Sequence, residues 1–255
     1  MKDAALFELA LRMGDNALIL GQRVSAWCGH APALEEDIAM ANVGLDLIGQ
    51  AKLWLTLAGE VEGAGRDADA LAFLRDSRDF RNVLLVEQPN GDYGQTLMRQ
   101  FLFDAWHLPM LTALRLSTDG RVADIAAKCA KEAAYHLDRS SDLVIRLGDG
   151  TAESRAKMQA ALDFLHPFAA EMIAADAIDE QAAAAGLGPR LADIAKNFSN
   201  TVAAVSAAAT LAPPSAPARA VAGAWRGKAG RHTEDFGRLL AEMQWLQRAY
   251  PGASW

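Results

Sequence analysis

Cysteine is nearly missing: Cys28 and Cys129 are the only two in 255 residues, and there is no CxxC pair. That argues against a disulfide framework. Two lone thiols, expected to be buried, suit a reducing cytoplasm. Basic charge is also short, with 25 Lys and Arg against 32 Asp and Glu, a net charge of -7 and a pI near 5.3. That balance disfavours nucleic acid and anionic membrane as partners, because both need a basic face, and neither is expected. No stretch approaches the roughly 20 apolar residues of a spanning helix. The opening "MKDAALFELALRMGDN" is charged throughout, so no signal peptide is expected. Strand alternation, NG-type hairpins and a fixed short repeat are all missing. "GAGRDADA" has no strand before it and is not a dinucleotide fingerprint.

What is present is a helical chain. It is 51% apolar and 22% charged, the balance of a soluble protein long enough to bury a large core. Apolar residues recur at three/four spacing at Leu6, Leu9, Ala10, Met13, Ala17, Leu20 and Val24, predicting a helix over about 4–28. "GHAP" stops it. A second helix over about 33–60 presents Ile38, Val43, Leu45, Leu47, Ile48 and Leu55. A short connection makes the two antiparallel neighbours. Residues 61–95 are rich in Gly, Asp, Asn and Arg and read as a long crossover with a short helix near 68–76. Helices over about 96–117 and 120–147 form a second hairpin. Further helices are expected over about 152–185, kinked at Pro167, over 190–208, and over 234–249 with Thr233 as its cap and a stripe of Phe236, Leu239, Leu240, Met243 and Leu246. Thr151 is a further expected N-cap. "APPSAPARA" at 212–220 reads as a stiffened linker. The fold class is all-α: one ferritin-like domain over 1–255, a four-helix bundle with a long crossover and additional C-terminal helices.

Such bundles can hold two metal ions. One carboxylate then comes from each of two helices and an ExxH motif from each of the other two. Two hard iron ions want about four carboxylates and two imidazoles at one level. Helix one offers Gln22, with the nearest acid, Asp15, about two turns away. Helix two offers Asp46 and, in the imidazole position, Gly49. Helix three offers Asp104, with His107 one turn on. Helix four offers Glu132, then Tyr135 where histidine belongs, with His136 displaced by one residue, about 100° around the helix. These eight are degenerate di-metal core positions, and no catalytic, cofactor or metal residue is assigned to the chain. Asp163 and His166 also fit DxxH and carry no assigned role. Two acid–His pairs can arise by chance in a long helical chain.

"GDNALILGQRVSAWCGHAPALEEDIAMANVGLDLIGQA", "LLVEQPNGDYGQT", "FDAWH", "KEAAYHLDRSSDLVIRLGDGT" and "HTEDFGRLLAEMQWLQRAYPG" resemble the structural subunits of bacterial multicomponent phenylacetyl-CoA epoxidases, the ring 1,2-oxygenases of phenylacetate breakdown. The resemblance runs from about residue 10 to the end. It implies a non-catalytic scaffold with no cofactor of its own. It implies as partners a homologous catalytic subunit holding di-iron, a small bridging subunit and a reductase.

Two other readings stay open. One is a catalytic di-metal subunit using Asp46, Asp104, His107, Glu132 and His136. The other is a stand-alone helical structural protein. If the site is degenerate, Asp104 and Glu132 need partners, and His107, His136, Gln22, Lys52 and Arg99 are expected to join them in a metal-free cluster. The Ala-rich "AAEMIAADAIDEQAAAA" is expected to offer a small-residue surface to a helical partner, and a homodimer contact is a further option. Trp27, Trp54, Trp106 and Trp245 are expected to fill core or interface, and Trp255 to dock.

Overall fold

The computed structural model describes residues 2–214 and 226–253. Ten α-helices occur among them, with no β-strand and a single isolated antiparallel bridge, Arg226 to Arg231. None of the helices is long and apolar enough to cross a membrane. The order is hairpin (α1 Lys2–Ser25, α2 Leu34–Glu62), crossover (α3 Ala68–Phe73, α4 Leu84–Glu87), hairpin (α5 Tyr93–Leu114, α6 Gly120–Gly148) and additional helices (α7 Ala152–Ile173, α8 Ala177–Ala184, α9 Leu191–Ala208, α10 Glu234–Ala249). That is the chain order of the ferritin-like class. The chain divides into two compact units, Met1–Pro89 with Gly223–Trp255, and Asn90–Ala222.

In the first unit α1 and α2 pack along their length. All seven apolar positions expected on α1 are buried. On α2, Val43, Leu47 and Leu55 are buried, but Ile38, Leu45 and Ile48 face solvent. Gly63 closes α2 in the left-handed conformation, its N–H reaching Gly59 O, a conformation that costs glycine little. The crossover contains the short α4, built from the apolar "LLVE". Thr233 stands at the N-cap of α10 but makes no side-chain cap bond. Its backbone N–H goes to Glu87 instead.

In the second unit α6, α7 and α9 all pack on α5. Asp92 caps α5 by accepting from Gln95 N. Thr151 caps α7 as expected, and Ser154 completes a reciprocal capping box with it. The helix expected over 152–185 is two helices. α7 runs through Pro167 and ends at Ile173. Asp176 then accepts from Ile178 N and Asp179 N, and Asp179 answers by accepting from Asp176 N. This capping box starts α8 and divides the alanine-rich stretch, so it presents no continuous helical surface.

Other placements meet expectation only in part. Cys28 is exposed, because α1 gives way to a turn before it; Cys129 is buried. Trp54 and Trp106 are core, Trp27 is half-buried in the turn, and Trp245 is exposed. Residues 215–220 of the expected linker and Trp255 lie outside the described residues.

Candidate functional site

Asp104 sits in the middle of α5 with no exposed surface. Its Oδ1 accepts from Gln100 Nε2 at 2.8 Å, one turn earlier on the same helix. Its Oδ2 accepts from Ser140 Oγ on α6 at 2.9 Å. Burial pushes this carboxyl up to about 6, while His136, Ser140, Gln100 and Arg139 pull it back towards the ionised form. One turn on, His107 is buried as well. Burial, with the charge of His136 second, presses its imidazole down to about 3, so the ring is neutral. Phe103 lies 4.7 Å from its ring, tilted, and Trp106 lies 6.0 Å from it, nearly parallel. Its Nδ1 has no hydrogen-bond partner among the described residues.

The register of α6 decides what this centre can hold. His136 turns inward, 1% exposed, and Tyr135 turns outward, 57% exposed. The buried positions are Val122, Ala126, Cys129, Ala130, Ala133, His136, Ser140, Val144 and Gly148. The residue three before His136 on that face is Ala133. Glu132 stands one position round the helix and is half-buried. The displacement expected of His136 therefore reverses: the imidazole keeps the inward place, and the carboxylate is what the face lacks. α2 behaves likewise. Asp46 is half-buried and Gly49 exposed, while Leu47 and Gln50 take the inward three-apart positions. Gln22 on α1 is half-buried beside Arg23, Glu242 and Leu246, lining a surface cleft.

The structure thus brings Asp104, His107 and His136 together and leaves Glu132 at the margin. Of the other expected cluster members, Arg99 reaches Asn90 Oδ1 at 2.6 Å, and Lys52 is exposed. Gln100 and Ser140, which sequence reasoning missed, supply Asp104's hydrogen bonds. A ladder anchored on the small and apolar positions of α6, at 122, 126, 129, 133, 136 and 140, carries Ser140 with it; an anchor on Glu132 does not. Cys129 is an inert thiol pushed up to about 12 by burial and by Glu132.

A di-iron centre needs about four carboxylates and two imidazoles. Here the inward places of α5 and α6 hold one carboxylate, Asp104, both of whose oxygens accept hydrogen bonds, and the place three before His136 holds Ala133. Among the described residues no three His, Cys, Asp or Glu side chains converge. The donors on α5 and α6, one carboxylate and two imidazoles, do not by themselves fit a di-iron centre.

A family model described as phenylacetic acid catabolic protein matches residues 1–255. The chain belongs to that family. One subunit of the 1,2-phenylacetyl-CoA epoxidase of Escherichia coli (strain K12) is 48% identical over 245 residues, 96% of this chain and 97% of that one.

Two more buried polar centres of this phenylacetic acid catabolic family member lie in its first unit. Asp15 on α1 pairs with Arg75 through both carboxylate oxygens and accepts from Arg81 N at 2.7 Å. Arg75 also donates to Leu71 O and Asp79 O and lies 4.2 Å over the Phe80 ring. Glu87 on α4 accepts from Asn82 Nδ2, His232 Nδ1 and Thr233 N at 2.6–3.0 Å. These clusters pin the crossover to α1 and to the segment leading into α10. All four carboxylate oxygens of Asp15 and Glu87 accept from donors of this chain, which is the arrangement of a structural network.

Proposed function

We propose that this chain is the structural, non-catalytic subunit of a phenylacetyl-CoA 1,2-epoxidase acting in aerobic phenylacetate catabolism. It stabilises a homologous helical subunit that carries the di-iron centre, and a small bridging subunit and a reductase complete the complex. The exposed free thiol of Cys28 suits the reducing cytoplasm as its compartment. The observation that carries this reading is the inward face of α6, where His136 keeps the imidazole but Ala133 stands in place of the carboxylate. Near full-length likeness to an epoxidase subunit supports it. The chemistry of Asp104 agrees: a carboxylate whose two oxygens are occupied by Gln100 and Ser140 is a packing element, with no oxygen turned to a substrate.

Reconstitution tests the proposal. The catalytic subunit, reductase and bridging subunit are assayed for epoxidation of phenylacetyl-CoA with and without this chain. The expected result is activity that needs this chain, yet persists when Asp104, His107 and His136 are replaced one at a time by residues that keep it folded. Loss of turnover in such a folded, complex-forming variant would assign the chain a chemical role and overturn the proposal.

A further inference from the structure

We propose that the outward face of α2 is the seat of one helix from a different subunit, laid lengthwise along Leu34, Ile38, Leu45 and Ile48. The inference deepens the subunit reading and rests on it. α2 packs on α1, and its buried face carries Val43, Leu47, Ala51 and Trp54. The opposite face of such a helix is ordinarily polar. Here Leu34 is 72% exposed, Ile38 54%, Leu45 68% and Ile48 38%. Half-buried Ala41 falls between Ile38 and Leu45. The five positions then step by four, three, four and three, the spacing of a coiled-coil seam. The seam is about 21 Å long at 1.5 Å per residue. A stripe this narrow accepts a helix running beside it rather than a broad surface.

Gly49 is an independent observation on the same face. It lies well inside α2, exposed, next to Ile48 and one turn from Leu45. Glycine weakens a helix interior relative to alanine. Every other glycine inside α1 and α2 has a reason within the chain. A Cβ at Gly14 would strike Leu55, at Gly44 Ser25 Oγ and at Gly59 the carbonyl of Arg66, and at Gly21 it would sit tightly against Ile48 and Leu47. A Cβ at Gly49 would meet nothing within 4 Å. The fold has no use for a missing side chain there. A backbone approaching closely from outside has one.

Charge selects the occupant. Along the seam, residues 34–48, α2 carries Glu35, Glu36, Asp37 and Asp46 and no base. Laying the seam of a second copy on this one sets four acids against four, which opposes association. The complementary occupant is a helix of another chain whose apolar seam is flanked by Lys and Arg. The homologous helical subunit is the one the proposed complex supplies.

The test mixes this chain with the separately purified homologous subunit and reads mass by size-exclusion chromatography with light scattering, and affinity by titration. The wild-type chain is compared with Leu45→Lys/Ile48→Lys, with Gly49→Trp and with the exposed control Leu116→Lys. Thermal melts of each chain alone establish folding. The expected result is a heteromer for wild type and control, and binding at least about 30-fold weaker for both seam variants, the loss typical of truncating an interface anchor. Should the double variant not fold, Gly49→Trp decides, since a Cβ there meets nothing of its own chain within 4 Å. Wild-type binding by a folded seam variant would overturn the α2 seat while leaving the subunit reading in place. No heteromer with wild type would instead strike the subunit reading. A wild-type homodimer that the seam variants dissolve would show a second copy as occupant and overturn the proposal.

Discussion

Replacing Asp104 by asparagine should stabilise this protein at neutral and alkaline pH. The rise of its carboxyl from the ordinary 3.8 to about 6 corresponds to about 3 kcal/mol set against the ionised form in the fold. Above pH 6 the folded and unfolded chains are both ionised, and the fold bears that whole cost. Below about pH 4 both are protonated and the cost vanishes. The wild-type contribution therefore rises as the pH falls from about 6 to about 4. The asparagine variant has no such slope. Its hydrogen bonds can be kept: the amide oxygen accepts from Gln100, and the amide N–H₂ donates to Ser140 Oγ, whose own hydroxyl can turn to Leu137 O at 3.4 Å. His107, held neutral in the fold, loses stability across the same acid range, but it is present in both chains and cancels in the difference. Urea unfolding at half-unit steps from pH 4 to pH 8 measures that difference directly. The variant should match wild type near pH 4 and exceed it by about 3 kcal/mol above pH 7, about 6–12 °C in Tm for a chain of this size. A variant less stable than wild type at pH 8, with parallel pH profiles, would show that the ionised carboxylate is favourably held, as a ligand or ion-pair partner would be, and would refute the reasoning.

The pair of Asp15 and Arg75 is buried on both sides, so Arg75→Met alone strands a carboxylate and should cost about 3–5 kcal/mol in urea unfolding, whereas Asp15→Leu with Arg75→Met should cost far less. A single change within about 1 kcal/mol of wild type would show that water reaches the pair. Glu132→Ala should cost less than about 1 kcal/mol, the range of half-exposed polar contacts, because Glu132 stands outside the inward ladder of α6. A loss of several kcal/mol by the same assay would place it in the buried centre after all.

The helices were legible because most are amphipathic over three or more turns, and Thr151, Gly29 and the crossover composition mark several boundaries. The division at Ala174–Asp176 was not, since alanine favours helix on both sides and the signal is one short Asp-x-x-Asp box. Register was the harder problem for the centre. A charged residue at the edge of a buried stripe looks like part of it, and anchoring α6 on Glu132 turned the reading by one residue. The small and apolar ladder Val122, Ala126, Cys129 and Ala133 sets the inward face and puts His136 on it. Asp15 and Arg75 are 60 residues apart and Glu87 and His232 are 145 apart, so no local spacing announces them. Ile38, Leu45 and Ile48 looked like core because a seam kept for a partner is as apolar as one kept for the chain itself.

Metal analysis of the purified chain, alone and in complex with the homologous helical subunit, tests the central claim most directly. The account predicts well under one iron per copy of this chain when it is produced alone with ample iron, and iron that follows the partner subunit when the complex is separated. Two tightly held irons per chain, with a ferric oxo absorption band, would contradict it.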